Sequence, residues 1–393
     1  MHSESKMKLA NRNAFLIIGA LEAAWAPMVP FVKKGFNLDE AQLGLLLLCT
    51  GLGSVLALPL AGPMCKRYGA KRTIYVNGVL LALSLVVLAT NISLWVTAFM
   101  LALFGMCTVQ IDVAANVNGI TLEERFKKPL MSGFHGGYSL GTLLGAAAMS
   151  LLLTMGLPIF YAALLVLTGT LAYFFWGCQE LLHKEELDTA PQKEQTQASK
   201  PKFYIPPLVL LVGIACFVLY SSEGAVMSWS AVFVNQERGV DLRFAGYFFT
   251  AFAICMTTMR LGGNKLVKRF GARRVVIYGS VLVALGFMLV ALVPHLLATI
   301  TGFALIGIGA ANIVPQLVSY AGRIKGMAIQ NIISIITALG YSGILLGPVV
   351  IGFCANLYGL PATFAGIGGV IILMTFIIIY LFQGNQADHR HDP

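Results

Sequence analysis

Residues 66–72, KRYGAKR, return almost unchanged at 268–274 as KRFGARR, an offset of 202. Two more matches fall in step. GTLLG at 141–145 returns as GILLG at 343–347, again 202 residues on, and Glu22 is answered by Glu223, 201 residues on. Three matches at about half of a 393-residue chain indicate a duplicated unit, both copies running in the same direction. Each copy of the basic septet stands between two long apolar runs.

Composition says what those runs are. Hydrophobic residues make up 58% of the chain and charged residues only 11%, and the mean hydropathy is +0.80. A soluble domain carries roughly a quarter charged residues. This chain cannot cover a water-facing surface, which excludes an ordinary soluble enzyme, a disordered protein and a nucleic-acid binder. The net charge of +10 forms no nucleic-acid patch, because the cations fall in short clusters between apolar runs.

The runs number twelve: 11–33, 40–63, 73–91, 93–119, 130–155, 158–178, 205–234, 243–264, 274–293, 295–319, 327–355 and 361–382. Each is long enough to cross a bilayer as a helix. The longest hydrophilic stretch, 179–204, reads as a cytoplasmic linker between an N-terminal six-helix bundle (1–178) and a C-terminal one (205–393). With the N-terminus inside, 22 of the 27 Lys and Arg residues fall on the cytoplasmic side, and four (Lys33, Lys34, Arg238, Arg243) fall outside. Arg260 lies within a span. This bias places both termini in the cytoplasm. MHSESKMK is polar and the run after Asn11 lacks a small-residue cleavage site, so no cleavable signal peptide is expected. The seven cysteines show no paired or metal-ligand spacing. No metal, cofactor or catalytic constellation is expected.

The septet belongs to a longer pattern. Gly62, Lys66, Arg67, Gly69, Lys71 and Arg72 fit G-x-x-x-D-R-x-G-R-R, the loop signature of the major facilitator superfamily, and the chain resembles that superfamily over essentially its whole length. Lys66 and Lys268 stand where the signature has Asp. In the superfamily that Asp helps lock the cytoplasmic side, so a substitute pairing of Lys66 or Arg67 with Glu123 or Glu124 is expected. Asp112-Val-Ala-Ala-Asn116-Val-Asn118-Gly119, His135-Gly-Gly-Tyr138-Ser139-Leu-Gly141, Ser222-Glu223-Gly224 with Trp229, and Met259-Arg260-Leu-Gly262-Gly263 resemble its YbjJ-like bacterial inner-membrane branch. That branch is related more distantly to the fucose and glucose proton symporters. The resemblance implies an all-α membrane protein with twelve transmembrane helices in two pseudo-symmetric six-helix bundles, in which spans one, four, seven and ten surround a cavity. It also implies a monomer bounded by membrane lipid, with no nucleic-acid partner.

Of the 17 acids only Glu22, Asp112 and Glu223 fall well inside spans. An acid at a helix centre costs ~2.5–3.5 kcal/mol to insert, so each is a candidate proton-coupling group. The alternative for each is an inward-facing acid tied to a neighbouring polar side chain. In the sugar symporters, acids in spans one and four serve coupling or substrate, roles the resemblance passes to Glu22 and Asp112. Helical spacing puts Asn116 on the face of Asp112, Gln316 on that of Asn312, and Trp25 near Glu22. Trp25, Asn116, Trp229, Asn312 and Gln316 are therefore the candidate solute-binding residues. The amides could equally tie helices together, and the indoles could equally anchor at the membrane interface. Trp95 and Trp176, near span ends, read as such anchors.

Ser132, His135, Ser139 and Thr142 stripe span five, and Gln330, Ser334, Thr337 and Tyr341 stripe span eleven, related by 202. These stripes, with Lys66, Arg67, Arg260, Lys268 and Arg269, are candidate gating or interface positions; His135 could pair with Asp112. Arg260 is expected to hold a carbonyl or an acid. The leading function is a secondary active transporter, a proton-coupled symporter of a small polar, sugar-like solute. Proton-driven efflux of drugs or metabolites is the second reading, to which Gly340–Gly352 (GYSGILLGPVVIG), which resembles the antiporter motif G-P-x-x-G, lends weak support. A non-transporting receptor is a remote third.

Overall fold

The computed structural model describes residues 4–128, 130–184, 205–322, 324, 327 and 329–388. Linker residues 185–204, and Arg323, Lys325 and Arg390 of the charge count, lie outside the described residues, as do the side chains of Gln330 and Ser334. Twelve helices are long and apolar enough to cross a membrane: Glu4–Gly35, Glu40–Tyr68, Ala70–Leu88, Leu94–Phe126, Met131–Thr154, Ile159–Gly177, Pro207–Arg238, Leu242–Leu261, Ala272–Leu292, Leu296–Ala321, Asn331–Tyr358 and Leu360–Ile379. They coincide one for one with the apolar runs and are spans one to twelve below. Spans one and four extend furthest past their apolar stretches, because polar residues at helix ends keep good helix propensity beyond the hydrocarbon.

Local sequence sets the ends. Asp39 and Gln42 form a reciprocal capping box at the start of span two: Gln42 N–H donates to Asp39 Oδ1 at 2.7 Å, and Asp39 N–H to Gln42 Oε1 at 3.0 Å. Ser93 caps span four by accepting from Val96 N–H at 3.2 Å. The septets end in the same backbone: Gly69, which closes span two, has φ 82° and ψ 158°, and Gly271, which closes the short helix Gly263–Phe270 after span eight, has φ 81° and ψ 148°. Only glycine adopts this region cheaply. The neighbouring side chains repeat too, with Arg67 over the ring of Tyr68 at 5.3 Å and Arg269 over Phe270 at 5.4 Å.

The chain divides into two compact units. The first is Met1–Pro201 with Asp241–Thr250; the second is Lys202–Val240 with Ala251–Pro393. The first ten residues of this pair of breaks depart from a division at the linker: the start of span eight groups with the first unit. There Thr154 Oγ1 donates to the Arg243 carbonyl at 3.1 Å, and Gly246 lies against Ser150 and Pro27.

Packing repeats inside each unit. In the first, span one runs against span five, and a Cβ on Gly141 or Gly145 would collide with the carbonyls of Leu16 or Ala20. In the second, span seven runs against span eleven, and a Cβ on Gly343 would collide with the carbonyl of Phe217. Leu16 and Phe217 are 201 apart, so the internal repeat holds at the level of single backbone contacts. Small residues let the backbones approach, which is how helices gain packing in lipid. Large apolar side chains face outward, Leu56 at 63% exposure and Phe376 at 65% among them, as a hydrocarbon solvent permits. Trp95 and Trp176 are 85% and 72% exposed at span ends, suited to the interface.

Two spans are broken. Span one leaves α-helical form after Ala24, makes a 3-10 turn at Ala26–Met28, and resumes at Val29–Gly35. Pro27 and Pro30 supply no N–H there, which breaks the regular helix. Span ten stops at Ala310 and restarts at Ile313.

Candidate functional site

The first unit gathers four polar side chains around the break in span one. Glu22 sits three residues before Trp25, whose N–H donates to the Glu22 carbonyl at 3.3 Å, and its Oε2 accepts from the hydroxyl of Tyr138 in span five at 2.8 Å. Asp112 of span four is close enough to interact electrostatically with Glu22. One turn along span four, Asn116 Nδ2 donates to the Asp112 carbonyl at 2.8 Å and also bonds its carboxylate. Glu22, Asp112 and Asn116 are half-buried, so the pair of carboxyls is shielded without being sealed. Two carboxyls in mutual range, one held by a phenol and one by an amide, form a place to hold and pass on a proton.

The second unit treats its acid differently. Glu223 interacts with Arg260 of span eight, and Tyr220 and Tyr341 belong to the same electrostatic group. Arg260 also donates from Nε to the Ala311 carbonyl at 3.3 Å, which anchors it at the break in span ten. The rings of Tyr220 and Tyr341 stack, with centroids 6.1 Å apart. The aromatic residue has changed helix between the copies. In the first unit the backbone carbonyl of Tyr138 in span five lies against Gly19 of span one; in the second, the ring of Tyr220 in span seven lies against Gly340 of span eleven. Gly19 and Tyr220 are 201 apart, and Tyr138 and Gly340 are 202 apart, so phenol and glycine have traded places at matched positions.

Three of the candidate binding residues, Asn312, Trp229 and Trp25, are buried. Asn312 does not share a continuous helical face with Gln316, because the helix breaks between Ala310 and Ile313 and Asn312 is the residue flanking the break. Its side chain is buried and committed: Nδ2 donates to the Met259 carbonyl at 2.9 Å, and Oδ1 lies where a Cβ on Gly263 would be. Asn312 thus ties spans eight and ten. Trp229 is fully buried, with its Nε1 unpartnered in the protein interior. It follows Glu223 by six residues, about 120° away around a helix, so it turns from the acid. Trp25 is also buried, at 5% exposure, so neither indole is an interfacial anchor and neither offers an open stacking face. Gln316 is half-buried.

The gating candidates separate likewise. Lys66, Arg67, Lys268 and Arg269 are exposed at the septets. Glu123, expected to pair with Lys66 or Arg67, instead caps the start of span five, accepting from the N–H groups of Leu130 and, at 2.9 Å, of Met131. A carboxylate satisfies those otherwise partnerless donors better than it would a solvated lysine. His135 is exposed and its ring lies 5.0 Å from that of Phe15. Tyr341 is the member of the polar stripe that joins the Glu223 group.

Sequence reasoning missed Tyr138 and Tyr220 as partners of the acids. A signal existed for Tyr138: it lies three residues after His135 and four before Thr142, on the stripe already drawn. It also missed Asn11, Asn13 and Asn118, all buried. Asn118 Nδ2 donates to Asn11 Oδ1 at 3.0 Å, and Asn13 Nδ2 to the Gly177 carbonyl at 2.9 Å. Among the described residues no group of three or more His, Cys, Asp or Glu side chains is placed to hold a metal ion.

Comparison with known proteins agrees with this architecture. The family model for the Major Facilitator Superfamily matches residues 13–321 and 211–393. An uncharacterised MFS-type transporter of Yersinia pestis is 36% identical over 369 residues, covering 94% of this chain and 93% of that one. Membrane protein MosC of Rhizobium meliloti is 27% identical over 351 residues, covering 88% and 83%. Among solved structures, a mutant of the nucleoside transporter NupG superposes with a TM-score of 0.77 at 14% identity, covering 96% of this chain and all of that one, a likeness of fold.

Proposed function

Because this chain belongs to the major facilitator superfamily and is a multi-pass membrane transporter of a small solute, we propose that it works by alternating access as a proton-coupled symporter of a polar, sugar-like molecule. The observation that carries the proposal is the Glu22–Asp112 pair with Tyr138 and Asn116 around it. Two carboxyls in mutual range resist carrying two negative charges, so the pair suits a cycle in which one proton is taken up and released. Tyr138 and Asn116 supply a hydroxyl and an amide, the groups that match solute hydroxyls. Glu223 has a cation, Arg260, in its field, unlike the Glu22–Asp112 pair. In this proposal Glu22 and Asp112 carry the proton, while Glu223 and Arg260 form a fixed charged pair that supports spans seven and eight. The setting proposed is a bacterial inner membrane, with both termini in the cytoplasm and the protein acting as a monomer.

The test is solute-driven proton flux in proteoliposomes, screened with sugars, sugar acids, polyols and nucleosides, and with lipophilic cations as the contrasting set. Inward proton movement on addition of a polar solute supports symport. Proton release driven only by lipophilic cations turns the reading to efflux.

A further inference from the structure

We propose that the first unit carries an anion site for a phosphate group, formed where the segment after span six folds back on the septet. The segment 177–184 is tied down. Asn13 Nδ2 donates to the Gly177 carbonyl at 2.9 Å, Leu182 N–H donates to Asn118 Oδ1 at 3.1 Å, and Leu181 and Leu182 are buried. Lys71 Nζ reaches the Gln179 carbonyl at 2.5 Å and His183 Nε2 at 3.2 Å. Lys184 packs directly on Gly69, where an added Cβ would come within 3.0 Å of the lysine Cβ.

These ties enclose a cavity of about 70 Å3 lined by Tyr68, Gly69, Lys71, Arg72, His183 and Lys184. One water needs only ~10–15 Å3 of such space. Among the described residues the lining holds three cationic side chains and an imidazole but no acid. The chemistry selects the ligand. The Lys71 ammonium carries donors only. Arg72 and Lys184 add donors and charge, and an oxyanion with several acceptor oxygens answers all of them. The positive-inside bias assigns this end of the span to the cytoplasmic leaflet, where phospholipid headgroups carry such phosphates. Free phosphate has the same chemistry.

The test uses the purified full-length protein in phosphatidylcholine nanodiscs, melted with and without phosphatidylglycerol, and separately with inorganic phosphate. Native mass spectrometry of the same preparations reads bound lipid. The variant is Arg72→Gln with Lys184→Gln; Lys71 is left intact because it holds the folded-back segment. The expected result is a rise in melting temperature with phosphatidylglycerol and a retained anionic lipid. Both are lost in the double variant, whose lipid affinity falls roughly thirtyfold, while its melting in phosphatidylcholine is unchanged. A rise with the lipid alone assigns the site to a headgroup. A rise with inorganic phosphate that the variant loses assigns it to a free anion. No rise with either ligand, or an equal rise in the variant, overturns the proposal.

Discussion

The hydroxyl of Tyr138 in span five donates to the carboxylate of Glu22 in span one at 2.8 Å, across the glycine-lined seam that joins the two helices. A hydrogen bond to a charged acceptor contributes about 1.5–3 kcal/mol. Tyr138→Phe keeps the ring and removes the donor. Proton-driven accumulation of the solute should fall about tenfold or more in this variant, and adding Glu22→Gln should cost no more than Glu22→Gln alone. That non-additivity, read from a double-mutant cycle on initial uptake rates, separates a shared proton site from two independent packing defects. Additive losses would show that Tyr138 acts elsewhere.

Glu22→Gln and Asp112→Asn should each abolish accumulation against a gradient while sparing solute exchange. The amide keeps the shape of the side chain but cannot take up and release a proton. Counterflow in proteoliposomes measures exchange, and uptake under an imposed proton gradient measures coupling. If both variants still concentrate the solute as the wild type does, the pair is structural.

Asn312→Ala should destabilise the protein rather than weaken its binding of solute. The Met259 carbonyl loses a buried donor, at a cost of about 1–3 kcal/mol. Gly263→Ala should do the same from the opposite side, because its Cβ would occupy the place of Asn312 Oδ1. Thermal melting in detergent should drop for both, with solute affinity of the folded fraction unchanged. Lost affinity at full stability in Asn312→Ala would return this residue to the binding site.

Gly69→Ala and Gly271→Ala should each cost of order 1–3 kcal/mol, Gly69→Ala the more, because both glycines hold a backbone conformation closed to alanine and a Cβ on Gly69 would also press on Lys184. Gly62→Ala serves as the control: nothing lies within 4 Å of a Cβ placed there. Melting of the three variants side by side checks this. A neutral Gly271→Ala would mean that the second septet relaxes where the first cannot.

Reporter fusions near residue 190 and at the C-terminus should both report the cytoplasm, as the 22-to-4 distribution of Lys and Arg requires. An external signal at either position would break the twelve-span topology.

The sequence by itself determined the twelve spans and the internal repeat. Span-length apolar runs have one solution in a bilayer, since every backbone group must be bonded within the helix. The 202-residue echo of the septet also foretold paired backbone geometry at Gly69 and Gly271, because a glycine held at positive φ is a local requirement that survives duplication. What the sequence left open was which polar side chains meet. Spacing along one helix placed Asn116 beside Asp112, since both lie on the same face, but it could not place Tyr138 against Glu22, 116 residues away. Spacing likewise did not show that Asn312 and Trp229 are buried, Asn312 against the Met259 carbonyl. A helix fixes the angles between its own residues and says nothing of its rotation against a neighbour. That rotation is set by where glycines let two backbones approach, as Gly141 does with Leu16, and only the packed structure decides it.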